Sequence, residues 1–260
     1  VNFPLPASLA FLPEGFSFRW DAPARLMAVF WMGAIALART ASLGGERVPS
    51  RGRAEESSLL TLYAASLAAL SAGNLLTLCV AWGAAEVILA CAHTLHTPEE
   101  KRRSFWNAWG DLCALFLLVV ATVLLLAGQG NTAWESISFT RLAWGLLLST
   151  AALKMVTPAL SGRIMDHSET FSSSLAIGAL LWCRALTLCP APWAGVSIGS
   201  SLVATLLMGT GLLAALTPGF SSAVGHIALH RLIMALALSF LSPVAEGVAA
   251  FWMIALNLLS

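Results

Sequence analysis

Two ionisable side chains, Glu86 and Lys154, stand inside stretches that are otherwise apolar, and Lys154 has no acid close to it along the chain. A charge in the core of a bilayer is costly, so an intramembrane lysine marks a functional site by default. An acid and a base on different helices, each costly alone, are cheapest when they face one another. Such a pair can relay protons, the acid modulating how firmly the lysine holds its own. The plainer alternative is an ion pair that only fixes helix register.

Other polar groups would extend a path from that pair: Asp111, Arg184, His226 and His230. Arg184 falls mid-run between Trp182 and Leu186, where it can reach a backbone carbonyl or snorkel to a lipid headgroup. His226, His230 and Arg231 share one predicted helix at i, i+4 and i+5. A metal would need a further ligand and none stands near them, so hydrogen-bonded interior histidines are preferred. His93 and His96, beside Thr97 and Pro98, read as interfacial. Asp166, His167 and Glu169 belong to the polar connection GRIMDHSET.

The elements that must position these groups are long and apolar. Of 260 residues, 58% are apolar and 10% charged, and the mean hydropathy is +0.81. A soluble domain carries about 25% charged residues, so this composition does not suit a water-facing surface. The expected fold is all-α, a polytopic transmembrane helical bundle with about eight or nine spans of roughly 20 residues. They are expected near 26–43, 57–72, 74–96, 105–128, 140–158, 168–190, 193–217, 223–241 and 243–259. Gly73-Asn74 and Pro243 mark breaks in stretches too long for one crossing. Residues 1–25 read as an interfacial lead-in and 26–260 as the transmembrane domain. The opening VNFPLPASLAFLPEGF lacks a basic segment and holds three prolines, unlike a signal peptide.

Trp20, Trp31, Trp106, Trp109, Trp134, Trp144 and Trp193 fall mostly near span ends, as an aromatic belt would. Arg39, Arg47, Arg51 and Arg53 follow the first span, and Lys101, Arg102 and Arg103 follow the third. The positive-inside rule puts both loops in the cytoplasm and the N-terminus outside. Cys79, Cys91, Cys113, Cys183 and Cys189 are scattered through apolar runs without metal-site spacing, and read as small core residues. Basic and acidic side chains number 14 and 13, a balance that gives no reason to invoke nucleic acid.

Three stretches in order resemble the antiporter-like proton-pumping subunits. That family serves respiratory complex I, multi-subunit Na+/H+ antiporters and membrane-bound hydrogenases, and a relative serves bacterial inorganic-carbon accumulation. The first stretch runs from Gly73-Asn74-Leu75-Leu76 to Trp82, the second from Lys101 to Gly110-Asp111. The third sets Asp166 and Glu169 after Lys154 as the family sets an acid pair after its buried lysine. The likeness covers roughly residues 58 to 240 and implies one family repeat over 58–217 with part of a second over 218–260. The sequence departs from the pattern at four places. Gly83 stands where the family has its helix acid, so Glu86, about one turn on, would substitute. Ala108 replaces an arginine, Ala179 a second buried base, and Gly219-Phe220-Ser221-Ser222 a charged segment before His226.

The resemblance implies an integral membrane subunit of a larger bioenergetic complex, in a bacterial cytoplasmic (inner) membrane, contributing to proton or cation movement through Lys154 and Glu86. The alternatives are a degenerate, non-pumping scaffold subunit, and the membrane energy-coupling subunit of a bacterial CO2 or bicarbonate uptake complex. A free secondary transporter is disfavoured, because paired discontinuous helices in two matching halves are not seen. No Ser/His/Asp set, phosphate loop or metal cluster presents itself, so no cofactor and no catalytic site of its own is expected. Oxidoreductase chemistry of the complex I type would belong to partners: other membrane subunits and a soluble catalytic subunit. Gly195, Gly199, Gly209 and Gly211 would let helices pack closely, within the chain or against such a partner.

Overall fold

Apolar runs of this length, broken by a few polar turns, fold into helices that pack on one another. The computed structural model describes residues 2–3, 15–44, 53–93, 98–138, 140–160 and 168–188. Six helices carry the chain: α1 (Ala22–Gly44), α2 (Arg53–Leu70), α3 (Leu75–His93), α4 (Pro98–Gln129), α5 (Arg141–Leu160) and α6 (Ser168–Thr187). The protein is all-α in its described residues apart from one short strand pair, β1 (Asn2–Phe3) against β2 (Phe16–Ser17), antiparallel. The predicted spans 193–217, 223–241 and 243–259 lie outside the described residues.

The helices form a closed sequence of neighbours. α3 packs on α4, α4 on α5, α5 on α6 and α6 on α1, while α2 lies against α3, α6 and α1. Its core is built from Trp31, Trp82, Leu118, Leu147, Met155 and Leu180, with alanines where helices approach closely. Two close approaches flank Lys154 on α5. A Cβ on Gly110 of α4 would fall 2.5 Å from Thr157 Cγ2, and one on Gly178 of α6 would fall 2.6 Å from Met155 Cγ. Glycine at both positions lets α4 and α6 press against α5 on either side of the lysine.

The number of spans departs from the sequence expectation of about eight or nine. Among the described residues, one helix stretch, Trp109–Gln129, is long and apolar enough by length and composition to cross a membrane. The apolar portions of other helices, Ala22–Ala36, Glu56–Leu70, Leu75–Leu89 and Ser173–Ala185, are shorter. Polar residues cut them short: Arg39 follows the first, Glu55 precedes the second, and the polar Ser168-Glu169-Thr170 precedes the last.

The turn between α2 and α3 is where the bundle is most tightly tied. Asn74 caps α3, its Oδ1 accepting from Thr77 N at 2.8 Å, while its Nδ2 donates to Gly15 O at 2.9 Å. Gly73 N donates to Ser17 O at 2.7 Å, Arg19 N to Ser71 O at 2.5 Å, and Leu75 N to Thr132 O at 3.0 Å. The segment before α1 and the loop after α4 therefore both close over this turn.

Candidate functional site

A single nitrogen joins three helices. Lys154 Nζ, on α5, donates to Asp111 Oδ1 of α4 at 2.9 Å and to Glu86 Oε1 of α3. The lysine side chain is 2% exposed, Glu86 9% and Asp111 11%, so all three groups are removed from solvent. Trp82, one helical turn before Glu86, donates its indole Nε1 to the same Oε1 at 2.8 Å. The ammonium also stands 5.1 Å from the Trp82 ring centroid, within reach of a cation–π attraction. Glu86 thus accepts from a cation and an indole through one oxygen. Charge-assisted bonds of this kind are the strong ones, and burial makes an unmade one expensive.

A second buried cation lies at the tied end of the bundle. Arg184, in the last turn of α6, donates from Nη2 to Asp21 Oδ2 at 2.9 Å and from Nη1 to Ala72 O at 2.7 Å. Asp21 serves twice, because its Oδ1 also caps α1 by accepting from Ala24 N at 2.9 Å. The guanidinium carbon stands 5.1 Å from the Trp134 ring centroid, and Trp134 Nε1 donates to the same Ala72 carbonyl at 3.0 Å. A cation in the final turn also complements the partial negative charge of a helix C-terminus. Gly178, whose virtual Cβ meets Lys154 Cβ at 3.4 Å, precedes Arg184 along α6 by about 9 Å at ~1.5 Å per residue. The two centres therefore sit at different depths.

The expected residues are divided between these places. Glu86, Asp111 and Lys154 converge, and Asp111 binds the lysine directly rather than continuing a path away from it. Arg184 takes the backbone carbonyl foreseen for it, at Ala72, and is tied to Asp21 rather than to the lysine centre. Asp166, His226 and His230 lie outside the described residues, and Glu169 falls in the first turn of α6. Two contributors were missed by the sequence reading, Trp82 as a donor to Glu86 and Asp21 as the partner of Arg184. The first had a signal in the i, i+4 spacing of Trp82 and Glu86. The second had one in an aspartate set just before Ala22-Pro23, where a helix start wants a cap. Among the described residues no group of three or more His, Cys, Asp or Glu could hold a metal ion.

Comparison with known proteins leaves the site to be read from its own geometry. The chain matches no family model, no curated protein and no solved structure.

Proposed function

We propose that this chain is a polytopic helical subunit of an energy-converting membrane complex, in which Lys154, Glu86 and Asp111 couple a proton or another small cation to the complex. The observation that carries the reading is the ammonium held, almost without solvent, between carboxylates from two other helices. Such groups are costly in an apolar interior and mark ion pathways when they occur there. The outward side of α4 supports a lipid setting, because Trp109, Leu112, Phe116, Val119 and Val123 recur at helical spacing and are all exposed. In this reading the chain resembles an antiporter-like subunit of a bacterial cytoplasmic membrane. Redox or hydration chemistry would reside in a soluble partner.

The test is purification of the tagged chain from its native membrane in mild detergent, with mass spectrometry of its companions. The recovered assembly is then placed in liposomes containing a pH-sensitive dye. Stable companions and ion movement that is lost in Lys154→Met are expected. A chain that is monodisperse alone and moves protons unaided overturns the subunit reading, and unchanged movement in Lys154→Met overturns the site. Companions with iron–sulfur or quinone chemistry would align it with complex I or hydrogenases, and a zinc protein of carbonic-anhydrase type with inorganic-carbon capture.

A non-pumping scaffold is favoured by a different observation: three helices meet on Nζ, as a register lock would require. On that reading Lys154→Met prevents assembly, so companions are lost together with ion movement.

A further inference from the structure

Among the described residues, the charges at the lysine centre do not balance. Glu86 from α3 and Asp111 from α4 bring two carboxyl groups to one ammonium, Lys154 from α5. At this level α6 contributes Gly178, and its charged Arg184 is engaged with Asp21. With every group ionised, one negative charge would be left over in a buried site, where an uncompensated charge is strongly disfavoured. Two carboxyl groups sharing a confined site do not both ionise readily, and their protons come off as a property of the pair. A metal cation would demand several oxygen ligands. Among the described residues no group of three or more His, Cys, Asp or Glu could hold one.

We infer that Glu86 and Asp111 together retain one carboxyl proton at neutral pH while Lys154 stays charged, making the carboxyl pair the carrier of the exchangeable proton. This deepens the reading given under Proposed function, because it names the proton as the ion and the acids as its seat. The lysine then acts as a fixed counter-charge: it holds one of the two negative charges permanently, and the other is open to protonation.

The test is infrared spectroscopy of the full chain in lipid vesicles at neutral pH. The expected result is a protonated-carboxyl C=O stretch that shifts in D2O. Heavy-isotope labelling of glutamate carboxyl carbons shifts part of it, and labelling of aspartate shifts part. Glu86→Gln or Asp111→Asn leaves one acid facing one ammonium, so the band is lost in either variant. Absence of the band in the unsubstituted chain overturns the inference without any variant having to fold. So does its survival in either variant, or its removal when choline chloride is replaced by sodium chloride at constant pH, which would assign the charge to a metal cation. The measurement needs no companion protein. A band without ion movement would sink only the coupling role, and ion movement without a band would sink only this inference.

Discussion

The two buried cations of this bundle are held in opposite ways. Arg184 meets the Asp21 carboxylate, the Ala72 carbonyl and the Trp134 face, and Asp21 keeps 25% of its side chain exposed. Its charge is paired with Asp21, and a guanidinium does not give up its proton. Lys154 meets two carboxyls, both largely buried, through a compact ammonium on a flexible stem that balances one of the two. The arginine centre is built to fasten the start of α1 and the α2–α3 turn to the end of α6. Among the described residues the lysine centre carries a second carboxyl that fastening alone does not require. A buried charge is therefore not informative by itself; the count of its partners and their freedom to titrate separate a brace from a site.

The sharpest way to break this contrast is to remove each cation. Lys154→Met leaves two carboxyls without a counter-charge and is expected to cost about 3–5 kcal/mol, read as thermal unfolding in detergent. Protonation relieves that repulsion, so the deficit is largest at high pH and shrinks as pH falls. A deficit independent of pH would place the lysine in the same class as the arginine. Arg184→Leu removes one of the donors to Ala72 O, which keeps Trp134 Nε1, and leaves a quarter-exposed Asp21 without its cation, at an expected cost of about 2 kcal/mol with little dependence on pH. The wet edge of Asp21 makes the second loss smaller than the first. In reconstituted assemblies Arg184→Leu should retain ion movement per folded protein, whereas Lys154→Met should not.

Much of the helical framework was legible in the sequence because apolar runs and their interruptions are local. The break at Gly73-Asn74 appears between Leu70 and Leu75, where Asn74 supplies the cap that starts α3. The convergence of Glu86 with Lys154 was legible for an energetic reason: each group is too costly to leave alone. The Arg184–Asp21 pair was not, since its members lie 163 residues apart and Asp21 stands in a segment that looks like a lead-in. No periodicity links such residues; only the packing of α6 against α1 brings them together. The small strand pair was also illegible, because two-residue strands carry no alternation to read.

Glycine contacts sharpen the comparison with smaller effects. Gly178→Ala would set a Cβ 2.6 Å from Met155 Cγ, 3.1 Å from Ala151 O and 3.4 Å from Lys154 Cβ. Met155 can turn aside but the Ala151 carbonyl is backbone, so α6 must shift by a few tenths of an ångström. The expected cost is about 1–2 kcal/mol, together with slower ion movement, because the displaced contact lies on the lysine. Gly73→Ala would meet Ser17 Oγ at 2.5 Å and the Ser17 carbonyl at 3.2 Å, at the arginine end. It should lower thermal stability by a similar amount and leave ion movement unchanged. Equal effects of both substitutions on ion movement would dissolve the distinction between the two ends.

The smallest expected effect tests whether the arginine end is only a fastening. Asn74→Ala removes the cap of α3 and the bond to Gly15 O together. Cap loss costs about 1 kcal/mol, and the freed Thr77 N can be met by water only if the segment before α1 lifts away. Ser17 N also donates to Thr77 Oγ1 at 2.9 Å, and Gly73 N and Arg19 N still reach Ser17 O and Ser71 O, so the strap keeps three of its attachments. Unfolding should therefore remain a single transition, displaced by a few degrees, while ion movement is untouched. A loss of ion movement in Asn74→Ala with the fold intact would mean that the turn transmits to the lysine centre along α3, which carries Asn74 at its cap and Glu86 within it. The two centres would then be one device rather than a brace and a site.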